Sequence, residues 1–229
     1  MSGALYMTEA SPPARSVLML LDILGIKNME LREINPVLRE QDSPELKKKN
    51  PMRTVPMLDE GDFSLADSHA IVLYLLEKYG RPEHQQLYPP DARVRATIHN
   101  RMFFDCGILF PRLRAIMAPT YGGRLTQMTK YMIINIVDAY EMLEMYLNES
   151  KYIAADHMTI ADISVLTTVS SLNGLHAVDE NRFPRLKQWL TTMNEKDFAK
   201  KINVPGCKLH VDGLIMLMEF NMSNKASKL

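Results

Sequence analysis

Apolar and polar positions alternate differently in the two parts of this chain. Up to about residue 80, short segments change character every few residues. Ala4-Leu5-Tyr6-Met7 is a short apolar run of strand type, closed by Ser11-Pro12-Pro13. Val17, Leu18, Leu20, Leu21 and Leu24 then recur at helical spacing as far as Gly25, a residue suited to a helix end. Met29 to Ile34 alternates weakly and predicts a strand. Val55-Pro56-Met57-Leu58 and Phe63-Ser64-Leu65 flank Glu60-Gly61-Asp62 as the arms of a hairpin. Asp67-Ser68 opens an apolar helix over Ala70 to Tyr79, ending at Gly80. The order β-α-β, a loop or short helix, then β-β-α predicts a small mixed sheet covered by helices.

Residues 81–90 are polar, end in Pro89-Pro90 and read as a linker. From Asp91 onward no convincing strand pattern appears. Helical periodicity runs from Asp91 to about Met117, from Leu125 to Leu147, from Ile160 to His176, from Pro184 to Met193 and from Leu209 to Met222. The fold class predicted is α/β plus all-α: one domain over residues 1–80, then an all-helical domain over 91–229.

Composition narrows the partners. The 229 residues are 46% hydrophobic, enough for a core. Lys+Arg 27 balances Asp+Glu 27, so the basic excess that drives nucleic-acid binding is absent and no nucleic acid is expected. Cys106 and Cys207 are the only cysteines, which excludes a disulfide scaffold and favours a reducing compartment. No apolar run approaches the roughly 18 residues of a membrane span. The N-terminus lacks a basic segment followed by an apolar one, so no secretory signal is read. A soluble intracellular protein without a membrane partner is expected. The six histidines are scattered and no Cys-x-x-Cys occurs, so no metal site is predicted. Lys47-Lys48-Lys49 reads as a solvated face, and Cys106 as an ordinary buried thiol.

Three short motifs carry candidate chemistry. Ser11 precedes a proline-started helix, which makes it an N-cap; the same position also turns its hydroxyl and the positive end of the helix dipole toward an anion. Thr54-Val55-Pro56 puts a proline at the entrance of a strand, where it removes a ladder donor. A cis peptide there would leave the Val55 backbone open to an extended peptide. In Asp67-Ser68-His69, Ser68 either caps the next helix or offers free N–H groups to a carboxylate while Asp67 pairs with an ammonium group.

Ser11-Pro12-Pro13-Ala14-Arg15, Asn50-Pro51 with Thr54-Val55-Pro56, Asp67-Ser68-His69-Ala70-Ile71, Leu109-Phe110-Pro111-Arg112-Leu113-Arg114 and Thr159-Ile160-Ala161-Asp162 follow one another in a recognisable order. Together they resemble the insect cytosolic glutathione S-transferases of the delta/epsilon group, epsilon most, over roughly residues 4 to 195. The resemblance implies a thioredoxin-like N-terminal domain with a mixed four-stranded sheet, an all-helical C-terminal domain and a homodimer. It implies catalysis by Ser11 as hydrogen-bond donor to the sulfur of glutathione, the co-substrate, with no metal. Val55, with Thr54 and Pro56 beside it, would hold the cysteinyl part; Asp67 and Ser68, with His69, the γ-glutamyl end; Gln41 and Arg53 the glycyl carboxylate. Epsilon enzymes commonly carry histidine where this chain has Gln41 and Arg53. Many relatives also carry an acid at the position of Ala118. The apolar electrophile would meet Pro13, Phe110, Arg114, Met117, Leu214 and Met218, with Phe220 a further candidate. Most of the 17 methionines are expected in the core.

Thr159 and Asp162 have capping-box spacing and are read as structure, in agreement with the resemblance. The last three residues, Ser227-Lys228-Leu229, spell a peroxisomal address, beside the cytosolic location that the resemblance implies. The activity expected is conjugation of glutathione to small hydrophobic electrophiles in detoxification, with peroxidase activity toward organic hydroperoxides within its range. The alternative is a carrier that sequesters apolar ligands with little turnover. A structural domain of a larger complex is the weakest reading, since no appended domain or charged extension supports it.

Overall fold

The computed structural model describes residues 3–226; the Ser227-Lys228-Leu229 tripeptide lies outside the described residues. β1 (Ala4–Met7) is buried along its whole length, because it lies inside the sheet order β2-β1-β3-β4 and is covered on both faces. β2 (Glu30–Glu33) pairs parallel to it, Leu5 opposite Leu31. The weak alternation there does not mark a buried face: all of β2 is exposed, Leu31 at 53%, and its charged residues suit an edge. β3 (Met57–Asp59) runs antiparallel to β1, and β4 (Ser64–Ala66) antiparallel to β3. β3 starts later than the apolar run suggests because the Val55–Pro56 bond is cis and Pro56 has no N–H for the ladder.

α1 (Pro12–Leu24) ends at Gly25, whose φ of 69° is left-handed and lets Ile26 N–H reach the Leu21 carbonyl at 2.9 Å. α2 (Pro44–Lys49) is short; its Lys49 turns inward and pairs with the buried Asp59 at 2.5 Å, so only part of the lysine run is a solvated face. α3 (Ser68–Tyr79) begins two residues before the predicted start. The predicted linker is packed rather than loose: a 3-10 turn over Pro82–Leu87 buries His84 and Leu87.

The single helix predicted from Asp91 to Met117 is interrupted. α4 (Ala92–Phe104) passes through one π-helical turn, Asp105–Leu109, into α5 (Phe110–Tyr121). Pro111 lacks an N–H and its ring opposes the carbonyl four residues back, and the π turn absorbs that conflict. Cys106, on this turn, is exposed and borders a cavity, not a buried thiol. The partial desolvation its sulfur keeps, followed by the charges of Asp67 and Asp105, still pushes its pKa up. α6 (Lys130–Glu149) is capped by Thr129, and α8 (Pro184–Asn194) and α9 (Val204–Ala226) close the bundle.

α7 (Ile160–Leu175) is buried on every side through Leu172, the mark of a central helix. Its start is the predicted capping box: Asp162 accepts from Thr159 N–H at 2.8 Å. The same carboxylate accepts from Ile153 N–H and Trp189 Nε1, each at 2.9 Å, tying the preceding loop and α8 to α7. α1 packs between α3 and α7, and one continuous apolar core runs through both halves of the chain.

Candidate functional site

The first helix and the loop before β3 meet over a cleft. Ser11 caps α1, its Oγ accepting from Ala14 N–H at 3.4 Å. That bond uses a lone pair; the hydroxyl proton has no acceptor among the described residues. The cap and the anion donor are therefore compatible roles for one hydroxyl.

Asn50 builds the loop opposite. Buried, it donates to the Thr54 carbonyl at 2.8 Å and accepts from Met52 N–H at 3.0 Å. The loop carries Arg53 in a left-handed conformation (φ 54°) and then Val55 before the cis bond to Pro56. Neither the N–H nor the C=O of Val55 has a partner among the described residues. An open backbone edge of this kind accepts an extended peptide by antiparallel pairing.

Asp67, with φ 74°, is the cap of α3, not Ser68: its Oδ1 accepts from His69 N–H at 2.8 Å and Ala70 N–H at 3.2 Å. The N–H and hydroxyl of Ser68 are thereby left without partners at a helix N-terminus. His69 Nε2 lies 3.0 Å from the buried Asp105 Oδ2, and its Nδ1 3.4 Å from Asp67 Oδ1. Burial opposes the imidazolium, but the hydrogen bond to Asp105 and then the nearby Asp67 carboxylate outweigh it and lift the pKa to about 9. The π turn is what delivers Asp105 to this place.

Two adjoining cavities form the cleft, about 460 and 260 Å³, with Pro13, Thr54, Val55, Phe110 and Arg114 lining both. The larger is also lined by Ser11, Gln41, Arg53 and Met117. The smaller adds Pro56, Asp67, Ser68 and His69. Arg53 stands 3.9 Å from Asp42, and Gln41 Oε1 is buried without a partner. Arg114 makes no ion pair or hydrogen bond among the described residues, and Ala118 beside the larger cavity offers it none. Two guanidinium groups and two helix N-termini thus face a cleft with an apolar wall, an arrangement suited to an anionic peptide next to an apolar molecule.

Leu214 and Met218 do not line either cavity. With Val211 and Asn221 they form the buried stripe of α9, Leu214 with no exposure, while Phe220 points away at 59% exposed. His210, at the edge of that stripe, lines the larger cavity in their place, together with Tyr121 from the end of α5. Sequence reading also assigned no role to Arg15. It is fully buried behind Ser11, donating to Asn203 Oδ1, the Ala10 and Thr167 carbonyls and Ser171 Oγ, and burial pulls its pKa down to about 10. The signal available in the sequence is the single positive charge of the apolar helix α1, whose other charged residue, Asp22, lies near its far end. Gly206 of α9 packs so closely here that a Cβ would stand 2.6 Å from Arg15 Cδ.

Residues 5–83 match the family model for the glutathione S-transferase N-terminal domain, and residues 115–201 that for the C-terminal domain. Glutathione S-transferase 1 of Manduca sexta is 38% identical over 209 residues, 91% of this chain and 95% of that protein. An epsilon-class glutathione S-transferase from the housefly Musca domestica superposes with a TM-score of 0.90 at 39% identity, covering 94% of this chain and 98% of that one. A glutathione transferase homologue of Drosophila mojavensis, solved with bound glutathione, superposes with a TM-score of 0.87 at 35% identity over 93% and 96% of the two chains.

Proposed function

The chain belongs to the glutathione S-transferase family, and from that premise we propose that it conjugates the glutathione thiolate to small apolar electrophiles held in the larger cavity. The observation that carries the proposal is the open Val55 backbone edge facing the unused Ser11 proton across one cleft. In this reading Val55 pairs with the cysteinyl unit, with Thr54 and Pro56 shaping the loop. Ser68 takes the γ-glutamyl carboxylate, with Asp67 and His69 beside it at the ammonium end. Gln41 and Arg53 take the glycyl carboxylate. Pro13, Phe110, Arg114 and Met117 face the electrophile.

Ser11 donates to the sulfur. Shifting a thiol from a pKa near 8.5 down by about 2 units requires about 2.7 kcal/mol. A hydrogen bond to a charged acceptor contributes roughly 1.5–3 kcal/mol, and the helix N-terminus about 0.3–1 kcal/mol. These two contributions suffice. The thiol proton leaves to solvent, the thiolate forms a C–S bond to the electrophilic carbon, and the displaced electron pair departs on the leaving group or the conjugated acceptor. With an organic hydroperoxide the same thiolate would attack the terminal peroxide oxygen, the O–O bond breaking to release the alcohol after protonation, and a second glutathione would convert the resulting sulfenic acid to glutathione disulfide and water.

Residues 1–80 then serve glutathione and residues 91–229 the electrophile, joined by 81–90. A homodimer and work in the cytosol belong to the same reading. Exposed Phe103, Tyr131, Ile134 and Met145 are in keeping with association.

Calorimetric titration with glutathione in two buffers of different ionisation heat tests the proposal by counting protons. Release approaching one proton per site is the expected result. Tight binding without release would replace the transferase with a carrier of apolar ligands, and absence of binding would overturn both.

A further inference from the structure

His210 faces the electrophile side of the cleft and is not needed by the chemistry above. It lines the larger cavity while being only 3% exposed. Its Nδ1 lies 3.2 Å from Ser171 Oγ, and its Nε2 is buried with no hydrogen-bond partner.

The protonation of the ring follows from its neighbours. Ser171 has one hydroxyl proton, which it donates to the Thr167 carbonyl at 3.0 Å. Its oxygen already accepts from Arg15 Nη2 at 2.8 Å. Toward His210 it therefore offers only a lone pair, so Nδ1 carries the ring proton and donates. Nε2 is left as a bare acceptor. Burial, and then the Arg15 charge, keep the imidazole neutral, with a pKa pushed down to about 3.

The rest of this network is satisfied. Asn203 accepts from Arg15 Nε at 3.1 Å and donates to Ser170 Oγ at 2.9 Å. A Leu or Phe would fill the space of His210 without leaving a polar atom unpaired, so packing alone does not explain an imidazole there. The two ring nitrogens point to nearly opposite sides. With Nδ1 directed to Ser171 of α7, Nε2 is the ring nitrogen that no protein group engages. The cavity that the ring lines also presents the apolar side chains of Pro36, Val37, Met117 and Ala118.

We propose that His210 is a specificity determinant of the electrophile site, its Nε2 accepting a hydrogen bond from a hydroxyl or N–H group on an otherwise apolar co-substrate. The proposal rests on the transferase reading of the cleft. It assigns the site to electrophiles with one donor group, in preference to purely hydrocarbon ones of the same shape. A buried acceptor favours the ligand that pairs with it over the ligand that leaves it bare.

The test uses activated aryl chlorides in matched pairs, one bearing a hydroxymethyl group and the other an ethyl group at the same ring position. The ratio of kcat/KM within each pair is measured for the full chain and for His210→Leu. The wild-type protein should favour the hydroxymethyl compound by roughly tenfold at one or more ring positions, and the ratio should collapse toward one in the variant. A wild-type ratio near one at every position overturns the proposal whatever the variant does. So does a preference that survives His210→Leu. Conjugation of the ethyl compounds with no such preference leaves the transferase reading standing and removes only His210. Failure of the wild type to conjugate any member overturns both.

Discussion

Removing the Ser11 hydroxyl separates its two roles. In Ser11→Ala the cap to Ala14 N–H is lost, but that bond is long at 3.4 Å and Pro12 and Pro13 have no N–H to satisfy. The cost to folding should sit at the low end for caps, about 0.5 kcal/mol. The lost donor to sulfur is larger, roughly 1.5–3 kcal/mol, which raises the thiol pKa of bound glutathione by about 1 to 2 units. At a pH below both values the thiolate fraction, and with it kcat/KM, falls about 10- to 100-fold. The decisive assay is the pH profile of kcat/KM for wild type and variant. The inflection should move up by about 1 to 2 units, and the two curves should converge at high pH, where the thiol ionises without help. Ser11→Thr, which keeps a hydroxyl, should stay close to wild type. An unshifted inflection, or a deficit constant across pH, would refute the assignment of Ser11 as the donor.

Two further outcomes concern stability. The folded pKa of His69 stands above its ordinary 6.5, at about 9, so its stabilisation is complete below about pH 6.5 and lost as the pH rises through about 9. Urea midpoints should fall over that window by up to about 3 kcal/mol of stability, and His69→Gln should flatten the dependence; an equal fall in the variant would assign it to other groups. Asp162→Ala leaves the donors of Ile153, Thr159 and Trp189 unpaired in the core and should cost about 3–5 kcal/mol by denaturant titration. A loss under about 1 kcal/mol would mean those donors find other partners.

The sequence by itself determined those features whose partners lie within a few residues. The apolar run of β1, the Ser11 cap, the Gly25 stop and the Thr159–Asp162 box are local in this sense and stand where the pattern puts them; the hairpin forms as well, with its arms shifted to Met57–Asp59 and Ser64–Ala66. The motif order likewise carried the family. Boundaries moved where a backbone constraint acted at short range, as at Pro56 and Pro111. The tertiary structure decided what depends on residues far apart in the chain. Asp105 meets His69 across 36 positions and Arg15 meets Ser171 across 156; neither partner can be chosen from spacing. On α9 the apolar positions gave a helix, but which of its edges borders the cleft is set by packing on α5 and α7. That packing buried Leu214 and Met218 and turned His210 to the cavity. Local periodicity fixes which residues share a face; only the neighbouring elements fix what that face meets.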